Sequence, residues 1–298
     1  MSLVAILIAN ESRPAITDAV LAETRAVLRT DHQPRILHGE VAAEILVSGA
    51  PQDAPALARR LRAALASEPL DIAVLPAGPH RRKRLFLADM DSTMIEQECI
   101  DELAHTIGLK AEVSAITERA MRGEIAFEPA LRERVALLRD LPVAVVDDLI
   151  ANRITLTPGG RTLVRTMKAH GTHTCLVSGG FTLFTGPVAA LIGFDEAHAT
   201  TLGVRAGRLT GAVEEPIVGQ ETKRAALVAL RSRFGLDPAD TLAVGDGAND
   251  LAMLEEAGLG VAFRAKPKVA AAADVRIDHG DLTALLYLQG FSASEFVN

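Results

Sequence analysis

Tryptophan is absent, tyrosine occurs once, and aromatic residues make up only 3% of the 298 residues. Single-stranded nucleic acids are held by stacking bases on aromatic side chains, and such platforms are missing here. Cysteine is nearly as scarce: Cys99 and Cys175 are the only two. Two thiols inside apolar-rich segments do not staple a secreted scaffold and are expected to be buried and reduced. A basic excess is missing too. The 31 Lys and Arg face 38 Asp and Glu, a formal charge of −7 that disfavours a nucleic acid backbone as partner. No apolar run approaches a membrane span; the opening run 3–9 is far too short and lacks both a basic leader and a small-residue cleavage site. It reads as a strand, and cytoplasmic residence with no membrane partner is expected.

What is present, 49% hydrophobic and 23% charged residues, suits a globular chain with one large and one small domain. After the first apolar run comes a helical pattern from Pro14 to Leu28, with Pro14 suited to a first helical turn. Strand patterns follow at 34–38 and 43–48, a second helical pattern at 54–66 and an apolar run at 70–75. This βαββαβ order predicts a small ferredoxin-like α+β domain over residues 1–78, closed by Pro76-Ala77-Gly78-Pro79. The run Arg81-Arg82-Lys83-Arg84, within 79–84, reads as a solvated linker rather than a nuclear signal or anion patch.

From residue 85 to 298, strand candidates at 85–88, 174–177, 241–244, 260–263 and 274–277 alternate with helical patterns. That order predicts an α/β domain with a doubly wound, mostly parallel sheet. The charged, helix-patterned stretch 97–157 is too long for a loop and predicts a helical cap over the end of that sheet. Residues 202–213 alternate about a glycine and predict a β-hairpin.

Polar chemistry gathers where apolar strands end. Asp89-Met90-Asp91-Ser92-Thr93 follows one strand, at the carboxyl end where open α/β sheets bind ligands. A polar turn capping the next helix is the plainer alternative for it. Gly245-Asp246-Gly247-Ala248-Asn249-Asp250 follows another strand, with Asn249 or Asp250 placed to cap a helix. Neither stretch is an EF-hand: Met94, Ile100, Ala248 and Ala257 occupy positions that need glycine or oxygen ligands. Ser178-Gly179-Gly180 ends a third strand and opens a helix, offering a hydroxyl and backbone N–H groups to an anion. Lys223, near the start of a helix over 222–233, reads by itself as a solvated lysine.

If these strands are parallel neighbours, Asp89, Asp91, Asp246 and Asp250 converge, and four crowded carboxylates call for a cation. An all-oxygen set favours Mg²⁺. His170 and His173 read as surface histidines, so no zinc set is formed. Neither a Walker A sequence nor G-x-G-x-x-G follows a strand. Phosphate, Mg²⁺ and an ionised carboxylate remain, the parts of phosphoryl transfer through an aspartyl-phosphate.

In chain order, Asp89 to Thr93, Ser178 to Gly180, Lys223 and Gly245 to Asp250 resemble the four motifs of the haloacid dehalogenase-like hydrolase superfamily, in its phosphoserine-hydrolysing branch. Glu96 to Glu102 and Phe127 to Arg134 extend the likeness, which covers about residues 85–290. The resemblance implies Asp89 as nucleophile and Asp91 as general acid/base. Ser178, Gly179 and Lys223 would hold phosphate, and Asn249 and Asp250 would support the site. Mg²⁺ would be bound by the Asp89 carboxylate, the Asp91 carbonyl and Asp246. In the cap, Glu98 would meet the ammonium and Arg134 the carboxylate of O-phospho-L-serine, with Met121 and Phe127 as apolar walls. For Arg134 on its own, a helix-surface ion pair is the simpler reading. Residues 1–78 resemble an ACT-like domain, though Asn10-Glu11-Ser12-Arg13-Pro14 lacks the glycine common in amino-acid-binding versions. Transfer of the phosphoryl group to homoserine, a non-catalytic amino-acid sensor and a homodimer stay open.

Overall fold

The computed structural model describes residues 2–121 and 124–298. The chain opens with β1 (Ser2–Ile8), α1 (Asp18–Leu28), β2 (Arg35–His38), β3 (Ala42–Ser48), α2 (Ala54–Ala64) and β4 (Asp71–Pro76). Their strands form an antiparallel sheet in the order β2-β3-β1-β4. Helix α1 starts later than the pattern from Pro14 suggests. The amides of Ala15 and Ile16 are bound to the Glu40 carbonyl, which keeps this stretch extended, and Thr17 then caps the helix by accepting from the Val20 N–H at 3.3 Å.

Strand β1 is apolar on both faces, and each face has its own cover. Leu3, Ala5 and Leu7 pack with Val20, Leu28 and Leu61 of α1 and α2, whereas Val4, Ile6 and Ile8 join the large core of the rest of the chain.

The second part runs β5 (Leu85–Ala88), α3 (Cys99–Thr106), α4 (Lys110–Met121), α5 (Phe127–Ala136), α6 (Val145–Asn152), α7 (Gly160–Ala169), β6 (His173–Phe181), α8 (Thr182–Ile192), β7 (Glu196–Arg205) and β8 (Arg208–Glu214). It continues through α9 (Gln220–Arg233), β9 (Thr241–Gly245), α10 (Leu251–Glu256), β10 (Gly260–Phe263), α11 (Pro267–Ala272), β11 (Val275–Ile277) and α12 (Ala284–Leu288). The sheet order is β11-β10-β9-β5-β6-β7-β8, parallel throughout except for the β7–β8 pair. Phe86 and Ala88 of the central strand face the core built with α7, α8 and α12; Leu85 and Leu87 face the core built with α9, α10 and α11. Burial on both sides is why these strands read as unbroken apolar runs rather than alternating ones.

Two sequence expectations change. The hairpin at 202–213 is the far part of a longer arrangement, because β7 begins at Glu196 and first pairs in parallel with β6. The basic run 81–84 is only partly solvated: Lys83 is buried, with Nζ on the Ala239 carbonyl at 2.7 Å, and Arg81 reaches Glu44 at 2.6 Å and the Leu288 carbonyl at 2.9 Å. A linker drawn along the sequence lies, in three dimensions, against both sheets.

Helices α3 to α6 form the insertion after β5. Its two stems meet where Ile95 pairs with Leu156 and the Glu96 N–H donates to the Thr155 carbonyl at 3.0 Å.

Candidate active site

The site lies where β5, β6, β9 and β10 end on the same edge of the sheet. The Asp89 N–H donates to the Val244 carbonyl at 3.0 Å, so β5 and β9 remain paired up to that residue. The chain then makes a wide helical turn over Met90–Met94, interrupted by an extended Asp91 (ψ 134°) and a left-handed Ser92 (φ 56°). The turn leaves Asp89 and Asp91 lining one cavity of about 430 Å³, together with Glu98, Phe127, Arg134, Ser178, Gly179, Asp246 and Asn249. Met121 ends α4, and its side chain lies outside the described residues.

Lys223 and Asp250 stand behind that lining. Lys223 is no solvated lysine: it is fully buried, and its Nζ lies 2.7 Å from Asp89 Oδ1 and 2.7 Å from Asp250 Oδ1. The other Asp250 oxygen accepts from the Asp246 and Gly247 N–H groups at 3.1 and 3.0 Å. A Cβ at Gly245 would fall 2.4 Å from the Asp250 Cγ, so this turn has room only for glycine. Gly180 is tight but less so; a Cβ there would lie 2.9 Å from Asp91 Oδ2. Ser178 Oγ accepts from the Gly180 N–H at 2.8 Å. On the cap side, Glu98 accepts from the Ser92 hydroxyl at 2.7 Å, and Arg134 donates to Thr117 Oγ1 at 3.2 Å and the Ala130 carbonyl at 3.3 Å.

Crowding and burial set the protonation. Burial, with Asp250 adding to it, raises the Asp89 pKa well above the usual carboxylate range against the pull of Lys223. Burial and then Glu98 push Asp91 up to about 7. Burial and Asp250 push Asp246 up to about 6. Burial works against the Lys223 charge, but Asp250 and Asp89 outweigh it and hold the ammonium. Burial also pushes the Cys99 thiol up, which makes it a poor nucleophile, and lowers Arg134 against the opposing pull of Glu98 and Asp101.

Such proton affinities mark a surplus of negative charge that a dication would neutralise. One carboxylate oxygen from each of Asp89, Asp246 and Asp250 lies within 4.8 Å of the others, and Asp91 Oδ1 is buried without a partner. An all-oxygen set of this kind fits a hard cation. Asp250 already spends both oxygens on Lys223 and two N–H groups, which leaves Asp89 and Asp246 to coordinate.

Sequence reasoning gave no role to four residues here. Thr93 Oγ1 donates to Asp246 Oδ1 at 3.4 Å, Thr117 holds Arg134, and Asp101 and Lys266 line the cavity. Thr93 closes the stretch that begins at Asp89, Asp101 lies within 96–102, and Lys266 follows the candidate strand 260–263 as the other site residues follow theirs; Thr117 carried no signal.

Residues 86–255 match the model of the haloacid dehalogenase-like hydrolase family. A phosphoserine phosphatase from Archaeoglobus fulgidus is 44% identical over 246 residues, 82% of this chain and 71% of that protein. One from Streptomyces coelicolor is 47% identical over 79% of this chain and 58% of its own length, so the match leaves a large part of that relative uncovered. The unliganded crystal structure of a probable phosphoserine phosphatase from Vibrio cholerae superposes with a TM-score of 0.79 at 32% identity, covering 99% of this chain and 88% of that one. With over half of its length matched by the family model and its acids gathered at the carboxyl edge of the sheet, the chain belongs to the haloacid dehalogenase-like hydrolases.

Proposed function

We propose that this chain hydrolyses O-phospho-L-serine to L-serine and phosphate through an aspartyl-phosphate on Asp89. The observation that carries the reading is geometric: Asp89, 2.7 Å from the buried Lys223 ammonium, and Asp91 line one cavity with Ser178, Gly179 and Asp246. Its relatives that carry the name phosphoserine phosphatase support the substrate.

The ester phosphate would lie against Ser178 Oγ, the Gly179 N–H and Lys223 Nζ, which offset its charge as an anion approaches it. An Asp89 oxygen attacks phosphorus as the bond from phosphorus to the serine oxygen breaks. Asp91 gives its proton to that leaving oxygen. An ordinary carboxyl holds a proton in only about one molecule in a thousand at pH 7, so the raised pKa of Asp91 is what makes it a usable acid. Water then attacks the phosphoryl group, its proton goes to Asp91, and Asp89 is released. Mg²⁺ would be held by the Asp89 carboxylate, the Asp91 carbonyl and Asp246, with Asp250 behind them, and would supply the positive charge that keeps Asp89 ionised. In the cap, Glu98 takes the substrate ammonium, Arg134 its carboxylate, and Phe127 an apolar wall.

We also assign residues 1–78 to an ACT-like domain, 79–84 to the junction and 85–298 to the phosphatase domain, and cytoplasmic residence. Among the described residues, no helix is long and apolar enough to cross a membrane.

The test is phosphate release from phosphoserine, phosphothreonine and sugar phosphates, with and without Mg²⁺. Phosphoserine with Mg²⁺ is expected to be the preferred condition, and Asp89→Asn is expected to abolish turnover with an unchanged circular dichroism spectrum. Full activity in that variant contradicts the mechanism, and phosphohomoserine as the dominant product with homoserine present contradicts hydrolysis.

A further inference from the structure

Lys266 lines the cavity and has no part in the phosphoryl-transfer steps proposed for Asp89 and Asp91. Its N–H donates to the Asp246 carbonyl at 3.1 Å, and its own carbonyl accepts from Val269 and Ala270 at 2.9 and 3.0 Å as α11 begins. The backbone is therefore fixed on both sides. The side chain is not: it is 54% exposed, with Nζ 4.0 Å from Asp246 Oδ2, an ionic approach without a hydrogen bond. Among the described residues Asp246 is its only ionic partner.

The other cations of the crevice have closer partners than Lys266 has. Lys223 is buried against two carboxylates, and Arg134 is tied to Thr117 and Ala130 on the cap. Asp89, Asp91, Glu98, Asp101 and Asp246 line the cavity against only Arg134 and Lys266. That excess repels a phosphate dianion at the entrance, and a half-exposed ammonium there lowers the barrier. A lysine is a compact charge on a flexible four-carbon stem, so leaving a loose 4.0 Å pair for a phosphate oxygen costs little.

We propose that Lys266 exerts two opposed effects on this site: its ammonium disfavours a dication at Asp246 and binds the phosphoryl group of the incoming ester. With a dication at Asp246 the pull of that carboxylate on the ammonium would be offset, leaving the side chain free to turn to a phosphate oxygen in the same cavity. The phosphate half rests on the proposed phosphoserine reaction; the dication half rests on Asp246 alone.

The experiment compares the full-length chain with Lys266→Met and Lys266→Arg. By titration calorimetry without substrate, Lys266→Met is expected to bind Mg²⁺ about three- to tenfold more tightly, the size of one half-screened charge removed. With saturating Mg²⁺ it is expected to bind inorganic phosphate about three- to tenfold more weakly, with KM for phosphoserine raised in step and kcat within about twofold of wild type. Lys266→Arg keeps the charge and is expected to restore both affinities. A merely structural lysine would weaken both ligands together, and that result, or no change in either, overturns the proposal. If the wild type fails to turn over phosphoserine, the functional reading falls while the Mg²⁺ and phosphate titrations still decide the role of Lys266.

Discussion

Lys223 and Lys266 carry the same ammonium to opposite ends. One is sealed between Asp89 and Asp250, where removing it would strand two buried carboxylates, and the other hangs at the mouth with room to turn. Arg134 lies between these extremes, half-buried and held by Thr117, which leaves part of its guanidinium fork to face the cavity. Its proposed carboxylate contact is a charge-assisted hydrogen bond, worth about 1.5–3 kcal/mol. Arg134→Ala is therefore expected to lower kcat/KM for phosphoserine by about 10- to 150-fold. O-phosphoethanolamine lacks the carboxylate, so its much slower hydrolysis should change by no more than about twofold. Equal losses on both substrates would mean that Arg134 serves the cap and not the carboxylate. The acids were legible in the sequence because each follows an apolar strand, and strand ends on one edge of a parallel sheet must meet. Lys223 was legible only through the family resemblance, since a helix pattern does not say which face of the first turn is covered. Lys266 follows a strand in the same way, but its motif is one residue long.

The cap is tied to the sheet by more than its two stems. The Asp140 N–H donates to the Leu209 carbonyl, the Leu209 N–H to the Leu141 carbonyl, and the Val143 N–H to the Gly207 carbonyl, each at 2.9 Å. Strand β8 thus pairs with β7 on one side and with the chain between α5 and α6 on the other. Arg132 and Glu215 form an ion pair across the same seam. Cap movement must work against this strap, whichever of the stems bends. Val143→Pro deletes one of the three amide donors while leaving the hairpin sequence intact. Amide exchange at Asp140 and Leu209 is expected to quicken by about five- to tenfold, the equivalent of one net hydrogen bond, and KM for phosphoserine to rise about two- to fivefold. Unchanged exchange at both amides would show that the strap bears no strain from the cap. The hairpin was legible from its alternation about a glycine, and the cap from its helical length. Their pairing was not, because no local pattern in 140–143 marks an edge partner; Asp140 is a non-glycine residue at φ 65°, a feature with no sequence signature of its own. The late start of α1 has the same origin, for the Glu40 carbonyl that holds residues 15 and 16 extended is distant in sequence.

The two sheets share a core, besides the one that each keeps to itself, although the sequence reads as two domains and a linker. Helix α12 shows why: Ala284 through Leu288 are all buried, and a helix apolar all round needs cover on every side. It receives that cover from α7 on one side and β1 on the other. The unbroken apolar run of β1 already held this information, since a strand with one wet face would alternate. Polar contacts fix the docking. The His38 ring nitrogen meets the Tyr287 hydroxyl at 2.6 Å, and Arg35 donates to the Gly290 carbonyl at 2.6 Å. The most concentrated contact is Asp71 at the start of β4. Its two oxygens accept from the Asp278, Gly280 and His279 N–H groups, at 2.7, 2.7 and 3.1–3.2 Å. Asp71→Ala leaves the amides of Asp278, His279 and Gly280 without their acceptor, and is expected to cost about 1–3 kcal/mol in urea unfolding at neutral pH. Burial raises the Asp71 pKa in the folded chain, with those amide bonds opposing it. A raised carboxyl binds its proton more tightly folded than unfolded, so the stability it contributes is complete below the unfolded pKa of about 3.9 and declines as pH climbs through the folded value. The gap between wild type and Asp71→Ala should therefore be wider at pH 4.5 than at pH 7.5. A gap that widens instead toward pH 7.5 would mean the amides hold the carboxylate more strongly than burial opposes it, and the junction would then be strongest in the charged form.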